Sequence, residues 1–176
     1  MPVEDEAVDL VDRNDEVIGQ SSLDDCYSKR LLHRAITVFS WNNHSQLLLQ
    51  RRSLIDDWYP GYWTASCTGH VKQGEDWLQA SKREIQEELG LKDLVLSLLF
   101  KYVVPLIRYG DLIEHELMYV VETHTGDLMP TIDKTEVEEV RFLTVEECKD
   151  FFETKQARIT PDAIESFRRY STLKCF

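Results

Sequence analysis

The sequence predicts a mixed α/β fold in which helices pack against a mixed β-sheet, and three observations support it. The chain has 176 residues, which suits a single domain, 1–176, with a sizeable core. Runs rich in β-branched and aromatic residues recur between residues 7 and 143, separated by polar turns. A helical pattern marks about 76–89, and capping signals mark two further helices near the end of the chain.

The first third of the chain is predicted to contain two hairpins. Residues 7–10 and 17–20 read as strands around a polar turn, within an N-terminal extension at 1–22. A partly helical segment follows. Strands at 35–41 and 46–51 then flank a four-residue polar turn, which is a strong hairpin pattern.

The remaining elements place the sheet between helices. An aromatic loop at 58–63 precedes a short strand and the helix at about 76–89. Thr144 and Glu147 have the spacing of a capping box, and Pro161 suits the first turn of a last helix at 161–174. Further strands are expected at 64–68, 94–107, 112–122 and 140–143.

Composition argues against several classes of partner. The net charge of −12 disfavours binding to nucleic-acid polymers and to anionic membranes. No apolar run approaches the ~20 residues of a membrane span, and the acidic N-terminus lacks a signal-peptide pattern. The four cysteines are scattered without a CxxC pair, so we expect a reduced, cytoplasmic protein.

The most informative segment is 69–91, GHVKQGEDWLQASKREIQEELGL. Residues three and four apart share a helix face, so Glu84, Glu87 and Glu88 are expected to point the same way. Carboxylates crowded in this manner suit a hard cation such as Mg²⁺ or Mn²⁺, which in turn suits phosphate oxygens. The segment therefore predicts a metal site for a small phosphorylated substrate.

Other residues of the same segment fit a docked helix with a defined start and stop. Leu78, Ile85 and Leu89 form an apolar stripe beside the acidic one. Gly90 is placed to end the helix. Arg83 is the lone cation in the acidic patch, and we expect it to pair with Glu75 and hold the preceding loop.

This segment resembles a complete Nudix box, G-x5-E-x7-R-E-U-x-E-E-x-G-U, where U is a bulky aliphatic residue. The resemblance implies an α/β/α sandwich in which the box forms a loop-helix-loop. It also implies Mg²⁺- or Mn²⁺-dependent hydrolysis of a diphosphate linkage, in a nucleoside diphosphate linked to another moiety or a similar compound. The matching positions are Gly69, Glu75, Arg83, Glu84, Ile85, Glu87, Glu88, Gly90 and Leu91.

The resemblance also implies roles for individual residues. Glu84, Glu87 and Glu88 would be metal ligands and catalytic residues, with Gly69 at the metal site and Arg83 in support. The general base varies within the family, and a glutamate outside the box sometimes serves. Glu114 and Glu116 are the candidates here, because alternate residues of a strand share one face.

Residues 8–143 also resemble the Nudix branch that contains type 1 isopentenyl-diphosphate isomerase. The resemblance implies a second divalent metal, held by His33, His70, Glu114 and Glu116, with Cys26 at a position that is histidine in the isomerase. The matching pieces are LLHRA at 31–35, LLLQRR at 47–52, YPGYW at 59–63, TGH at 68–70 and EHE at 114–116.

Two departures favour a hydrolase over an isomerase. The isomerase carries its catalytic cysteine directly before the Gly-His pair, where this chain has Thr68. Cys67 lies one residue earlier, and a one-residue shift on a strand reverses the face, so Cys67 is expected to be buried packing. The isomerase also has a degenerate box, whereas this box is complete. An isomerase and a non-catalytic metabolite-binding domain remain the alternatives.

Substrate contacts outside the box are expected from the aromatic loop and from one arginine. Trp58 and Trp63, with their tyrosine neighbours, suit stacking on a base or covering an apolar tail. Arg51 and Arg52 suit phosphates, but successive strand residues face opposite ways, so at most one reaches the site. Substrate identity stays open, as does a homodimer, which is common in the family.

Overall fold

The computed structural model describes residues 6–56, 58–153 and 158–176, so residues 1–5 of the predicted N-terminal extension lie outside the described part. The strands are β1 (Ala7–Val11), β2 (Val17–Ser22), β3 (His33–Asn42), β4 (Leu47–Arg52), β5 (Trp63–Thr64), β6 (Cys67–His70), β7 (Leu96–Val103), β8 (Ile107–Tyr109), β9 (Leu112–Glu114), β10 (Glu116–Gly126) and β11 (Val137–Leu143). The helices are α1 (Leu23–Lys29), α2 (Trp77–Leu89), α3 (Val145–Glu153) and α4 (Pro161–Lys174).

The sheet is mixed and is organised around β3. This strand pairs in parallel with β10 and antiparallel with β1, β4 and β6. Beyond these neighbours, β7 pairs with β10, β11 and β5 pair with β4, and β2 pairs with β1. Both predicted hairpins, β1–β2 and β3–β4, are therefore confirmed.

Helices cover both faces of the sheet, which confirms the predicted α/β/α sandwich. Along β3, Phe39 belongs to a cluster with residues of α3 and α4, whereas Ile36 and Val38 belong to a cluster with residues of α2. This alternation follows from the two-residue period of a strand and means that β3 is buried on both faces. Among the described residues, none of the helices combines the length and the apolar character of a membrane span.

Three predicted strands are interrupted in the structure. The run at 94–107 stops at Val103 and resumes at Ile107, because Pro105 between them has no amide hydrogen for a ladder. The run at 112–122 breaks at His115. The run at 64–68 divides at Ser66, whose hydroxyl accepts from the Ser40 amide (2.8 Å) and donates to the Leu48 carbonyl (2.5 Å), joining two strands.

The predicted ends of the helices are confirmed. Thr144 and Glu147 form the capping box, with the Thr144 amide 2.8 Å from Glu147 Oε2 and the Glu147 amide 3.3 Å from Thr144 Oγ1. Pro161 lies in the first turn of α4. These contacts satisfy amide groups that a helix start otherwise leaves unpaired.

Candidate active site

The box helix α2 has a defined start and stop. Asp76 accepts from the Gln79 amide (2.8 Å), and Gln79 accepts in return from the Asp76 amide (2.9 Å). Gly90 ends the helix with a φ of 65°, as predicted. Ile85 and Leu89 are buried against the sheet, while Leu78 of the expected apolar stripe is only half-buried. The helix is therefore fixed at both ends and along its inner face.

The three box glutamates do not share one environment. Glu84 and Glu88 are buried, at 8% and 6% exposure, whereas Glu87 is exposed. At ~100° per residue, Glu84 and Glu88 lie about 40° apart, but Glu87 and Glu88 lie about 100° apart. All three lie within the expected arc of about 100°, but the sheet buries only the edge of this face that carries Glu84 and Glu88.

Arg83 joins the helix to the loop before it, as predicted. Its Nε and Nη2 both donate to Glu75, at 2.9 Å each, and Nη2 also donates to the His70 carbonyl at 2.9 Å. Its Nη1 donates to Glu84 (2.6 Å) and Glu87 (3.2 Å). Burial acts to lower the pKa of Arg83, but these carboxylates raise it, so the side chain is a permanent cation that holds Glu84 in place.

A first group of potential metal ligands contains Glu84 and Glu88, with Glu136 where the sequence suggested Glu87. Their carboxylate oxygens lie within 4.8 Å of one another. Burial and then the charge of Glu88 raise the pKa of Glu84, and burial together with Glu136 raises that of Glu88. Carboxylates held this close repel one another without a cation, so this donor set fits Mg²⁺ or Mn²⁺.

A second group brings together His33, His70 and Glu116, also within 4.8 Å. Nδ1 of His33 donates to the Leu31 carbonyl (3.0 Å), which leaves the lone pair on Nε2, and this buried Nε2 has no hydrogen-bond partner among the described residues. Burial lowers the pKa of His33 to about 4, so the ring is neutral, as a metal ligand requires. This set of two imidazoles and one carboxylate fits a divalent cation that accepts nitrogen ligands.

Two residues that match ligand positions of the isomerase, Cys26 and Glu114, are not part of this group. Cys26 packs with Val8, Leu23 and Tyr27 in a small apolar cluster. Glu114 is buried near Glu116, but it is not among the three residues whose ligand atoms come together. The ligand positions of the isomerase are therefore only partly reproduced in this chain.

Members of both groups line one cavity of about 200 Å³. Its lining is rich in carboxylates, and Arg52 is the arginine among the described lining residues. The acidic lining residues are Asp56, Glu84, Glu88, Glu114, Glu116, Glu136 and Asp162. An anionic substrate therefore needs bound cations to enter this cavity.

Three of these carboxylates were not predicted as site residues. Glu136 lies just before β11, and Asp162 lies in the first turn of α4. Asp56 accepts from Arg52 Nη2 at 2.7 Å. None belongs to a motif, and each reaches the cavity only through the fold. The position of Asp162 beside Pro161 is a helix-start signal and carries no information about a site.

Of the two candidate arginines, Arg52 lines the cavity and Arg51 does not. Arg52 Nε also donates to the Trp58 carbonyl (2.8 Å), which ties the aromatic loop to β4. Arg51 pairs instead with Glu139 of β11 at 3.1 Å. The structure agrees with the expectation that strand alternation allows one arginine at the site.

The aromatic loop divides between the cavity and the core. Trp58 and Tyr59 line the cavity. Trp63, suggested above as a substrate residue, lies in the core, where its ring packs edge-on against Phe151 and under the Arg141 guanidinium, 4.6 Å away. It begins β5, and the sheet turns it towards α3, away from the cavity.

The sequence model of the NUDIX domain matches residues 31–163, which is more than half of the chain. The chain belongs to the Nudix family. Among its relatives, an isopentenyl-diphosphate Delta-isomerase of Pectobacterium atrosepticum is 36% identical over 153 residues, covering 87% of this chain and 82% of that protein. An uncharacterized Nudix hydrolase of Pseudomonas aeruginosa, PA4841, is 27% identical over 165 residues, covering 94% and 93%.

Solved Nudix-type structures agree with the fold. The crystal structure of DR0079 from Deinococcus radiodurans superposes with a TM-score of 0.76 at 25% identity, covering 94% of this chain and 99% of that one. An Ap4A hydrolase of C. elegans superposes with a TM-score of 0.55 at 17% identity, covering 81% and 98%. The second likeness concerns the fold alone.

Cys67 and Thr68 separate this Nudix protein from the isomerase pattern. Thr68 lines the cavity, whereas Cys67 is fully buried in the core cluster between the sheet and α2. Burial raises the pKa of the Cys67 thiol, and the nearby Glu88 and Glu84 raise it further. The predicted packing role of Cys67 is confirmed, and the cavity position that the isomerase fills with cysteine holds a hydroxyl.

Proposed function

We propose that this Nudix protein is a divalent-cation-dependent hydrolase of a diphosphate linkage, in a nucleoside diphosphate linked to another moiety or a similar small diphosphate. The observation that carries the proposal is the pair of ligand groups, Glu84/Glu88/Glu136 and His33/His70/Glu116, with members of both lining one acidic cavity. A diphosphate is the substrate class whose charge matches cations held in such a place.

We assign the metal-binding and phosphate-binding roles to separate residues. Glu84, Glu88 and Glu136 would hold Mg²⁺ or Mn²⁺, with Glu87 and the Gly69 carbonyl as further candidate ligands, and His33, His70 and Glu116 would hold a second divalent cation. Such ions neutralise phosphate charge and lower the pKa of a bound water when present. Arg52, which belongs to neither ligand group, would bind a phosphate oxygen.

Glu116 is the candidate general base. Burial acts to raise its pKa, but hydrogen bonding from His70 lowers it, so this carboxylate is ionised at neutral pH and able to accept a proton. Glu114 differs, because burial and then Glu116 raise its pKa. Arg83 supports the reaction indirectly by orienting Glu84 and the loop at His70.

Of the two alternatives, the isomerase has specific support. An isomerase acting on isopentenyl diphosphate is favoured by the named relatives and by the His33/His70/Glu116 group. It is opposed by Thr68 in the cysteine position and by the inaccessible Cys67. A domain that binds a metabolite without turnover is the other alternative, and the full set of box carboxylates opposes it.

The test is a phosphorus NMR screen of the purified protein with Mg²⁺ or Mn²⁺. The panel contains nucleoside triphosphates, ADP-ribose, NADH, sugar nucleotides, coenzyme A and isopentenyl diphosphate. Cleavage of a diphosphate linkage, reduced about 100-fold or more by Glu88→Gln, is the expected result. Near-wild-type turnover in both Glu87→Gln and Glu88→Gln contradicts the proposal. Rearrangement of isopentenyl diphosphate with its diphosphate intact would support the isomerase instead.

A further inference from the structure

The carboxylate of Glu88 is held by a side chain that lies outside the box. Gln50, on β4, donates from Nε2 to Glu88 Oε2 at 3.1 Å. Gln50 is 1% exposed and is not among the residues that line the cavity, so it is out of reach of a substrate. Any effect of the Gln50 amide on the site must therefore act through Glu88.

The other end of the same amide group has no partner. Gln50 Oε1 is buried without a hydrogen-bond donor among the described residues. A buried acceptor that is left unpaired costs free energy, and an apolar side chain of the same shape avoids that cost. The stability of the fold therefore gives little reason for a glutamine at this position, and the bond to Glu88 is the reason that remains.

The backbone of Gln50 is a rigid support for this bond. Its amide donates to the Ala65 carbonyl at 3.2 Å. The residue pairs with Thr64 of β5 on one side and with Val140 of β11 on the other, so β4 is covered along both edges here. A side chain that starts from such a backbone can hold a carboxylate in one orientation.

The donor is neutral, which suits the role of Glu88 as a metal ligand. An arginine or lysine at residue 50 would pair with Glu88 and offset the negative charge that a divalent cation requires. An amide N–H orients the carboxylate and leaves its charge unchanged. The buried thiol of Cys67, on β6, also hydrogen-bonds to Glu88 and is likewise neutral.

The two buried glutamates of the box are held from different directions. Glu84 accepts from Arg83 Nη1 at 2.6 Å, and Arg83 is its neighbour on the same helix. Glu88 accepts from Gln50, which lies 38 residues earlier in the chain. Because both glutamates belong to one ligand group with Glu136, each carboxylate has to stay oriented towards the other two for a single cation to bind.

We propose that Gln50 is a positioning residue of the first ligand group, whose amide fixes the Glu88 carboxylate so that Glu84, Glu88 and Glu136 bind a divalent cation together. This inference rests on the proposed function and adds to its metal site a residue from outside the box. Removal of a group that orients a metal ligand typically lowers metal affinity about 10–100-fold.

The test measures the Mn²⁺ affinity of two Gln50 variants by calorimetric titration without substrate. Gln50→Met keeps the length of the side chain and removes the amide. Gln50→Asn keeps the amide but is one methylene shorter, so its donor falls short of Glu88. Each variant should weaken Mn²⁺ binding at least about tenfold, in the binding event that Glu88→Gln removes.

The stability of the metal-free protein is the second measurement. In Gln50→Met, loss of the bond to Glu88 and loss of the unpaired oxygen offset each other, so the urea midpoint should shift by less than about 0.5 M. Gln46→Met is the matched control, since Gln46 lies just before β4 and its Oε1 accepts from Asn42 Nδ2 at 2.9 Å. It should leave Mn²⁺ affinity unchanged.

Three results would overturn the inference. Wild-type Mn²⁺ affinity in Gln50→Met would show that the volume of the side chain is what matters, and wild-type affinity in Gln50→Asn would show that its polarity is. A larger fall of the urea midpoint in Gln50→Met would assign the amide to the stability of the fold. If Gln50→Met did not fold, the affinity of Gln50→Asn would decide.

The outcome is separable from that of the proposed function, because the titration contains no substrate. Weaker Mn²⁺ binding in both Gln50 variants, without cleavage of any diphosphate in the NMR screen, would refute the hydrolase and retain the role of Gln50. Cleavage in the screen with unchanged Mn²⁺ affinity in the variants would refute the role of Gln50 and retain the hydrolase.

Discussion

The side chain of Glu84 occupies the space that a β-carbon on residue 69 would need. An ideal β-carbon built on Gly69 would lie 2.2 Å from both Cδ and Oε1 of Glu84. Gly69 lies on β6, paired with Ile36 of β3, so its backbone is fixed by the sheet. The first glycine of the box is therefore required by contact with the first glutamate of its helix.

Gly69→Ala is expected to displace the Glu84 carboxylate and not to unfold the protein, because the clashing atoms are at the end of a flexible side chain. Turnover and the affinity for Mn²⁺ should each fall at least about tenfold. The free energy of unfolding should change by less than about 1 kcal/mol. Turnover by NMR, calorimetric Mn²⁺ titration and urea unfolding check these three quantities.

Gly19→Ala provides the control, because its nearest neighbour is Leu10 Cδ1 at an ordinary 3.8 Å and its φ is not positive. It should alter neither turnover nor Mn²⁺ affinity. If Gly69→Ala lost stability to the same extent as activity, the contact with Glu84 would not be the reason for the glycine.

Glu136 is expected to contribute to the first metal site although it lies outside the box. Its carboxylate is grouped with those of Glu84 and Glu88. Glu136→Gln keeps the shape and removes the charge, so Mn²⁺ affinity should fall at least about tenfold. Calorimetric titration with Mn²⁺ measures this, and turnover should fall with it.

The comparison variant for Glu136 is Glu146→Gln, on the exposed first turn of α3. It removes the same charge from the protein and should leave Mn²⁺ affinity unchanged. Equal losses in the two variants would show that total charge, and not a ligand at residue 136, determines the affinity.

The features that could be predicted from the sequence are those whose partners are close along the chain. The capping box of Thr144 and Glu147 and the end of α2 at Gly90 depend on spacings of a few residues, which helix geometry determines. The pairing of Arg83 with Glu75 spans eight residues and follows from the lone cation in an acidic patch. The order of strands and helices likewise indicated the sandwich, because strands and helices differ in the spacing of their apolar residues along the chain.

The features that could not be predicted depend on which chain segments meet. Glu136 joins Glu84 only because β11 pairs with β4 beside α2, and nothing local to residue 136 indicates this. Trp58 and Trp63 are tryptophans of the same loop. Trp63 begins β5 and lies in the core, whereas Trp58 lines the cavity. Glu87 is exposed while Glu84 and Glu88 are buried, and this difference depends on how much of the α2 surface the sheet covers.

Native thiol reactivity should report one accessible cysteine. Cys26, Cys67 and Cys148 are buried, at 0–1% exposure, and Cys175 is exposed. Burial raises the pKa of each buried thiol, which further suppresses the thiolate that reacts. Titration with a disulfide reagent should release one equivalent rapidly in buffer and four in guanidinium chloride.

Cys175→Ser is the control for this titration, because it should abolish the rapid phase. A second rapid thiol assigned to Cys67 by mass spectrometry would contradict its burial. That outcome would also revive the isomerase, since an accessible Cys67 is what a proton-donating role requires.

Asp15 is expected to make the stability of the fold depend on pH. Its carboxylate accepts from Arg34 Nε (2.6 Å), Lys101 Nζ (2.7 Å) and the Tyr119 hydroxyl, and so ties the β1–β2 turn to β3, β7 and β10. Burial acts to raise the pKa of Asp15, but the hydrogen bonds from Lys101, Tyr119 and Arg34 lower it below the ordinary 3.8. The folded state therefore favours the ionised form.

The sign of the pH effect follows from this lowered pKa. The stabilisation is complete above the pKa of the unfolded chain and is lost as the pH falls through the folded value. Asp15→Asn, which tolerates the same positive φ, should lower the free energy of unfolding by about 2 kcal/mol at pH 7, and by progressively less below pH ~4. Urea unfolding across this range, with the exposed neighbour Glu16→Gln as control, measures it. A difference in the free energy of unfolding between wild type and Asp15→Asn that stays constant down to pH 3 would contradict the prediction, because it would show that the charge of the carboxylate does not stabilise the fold.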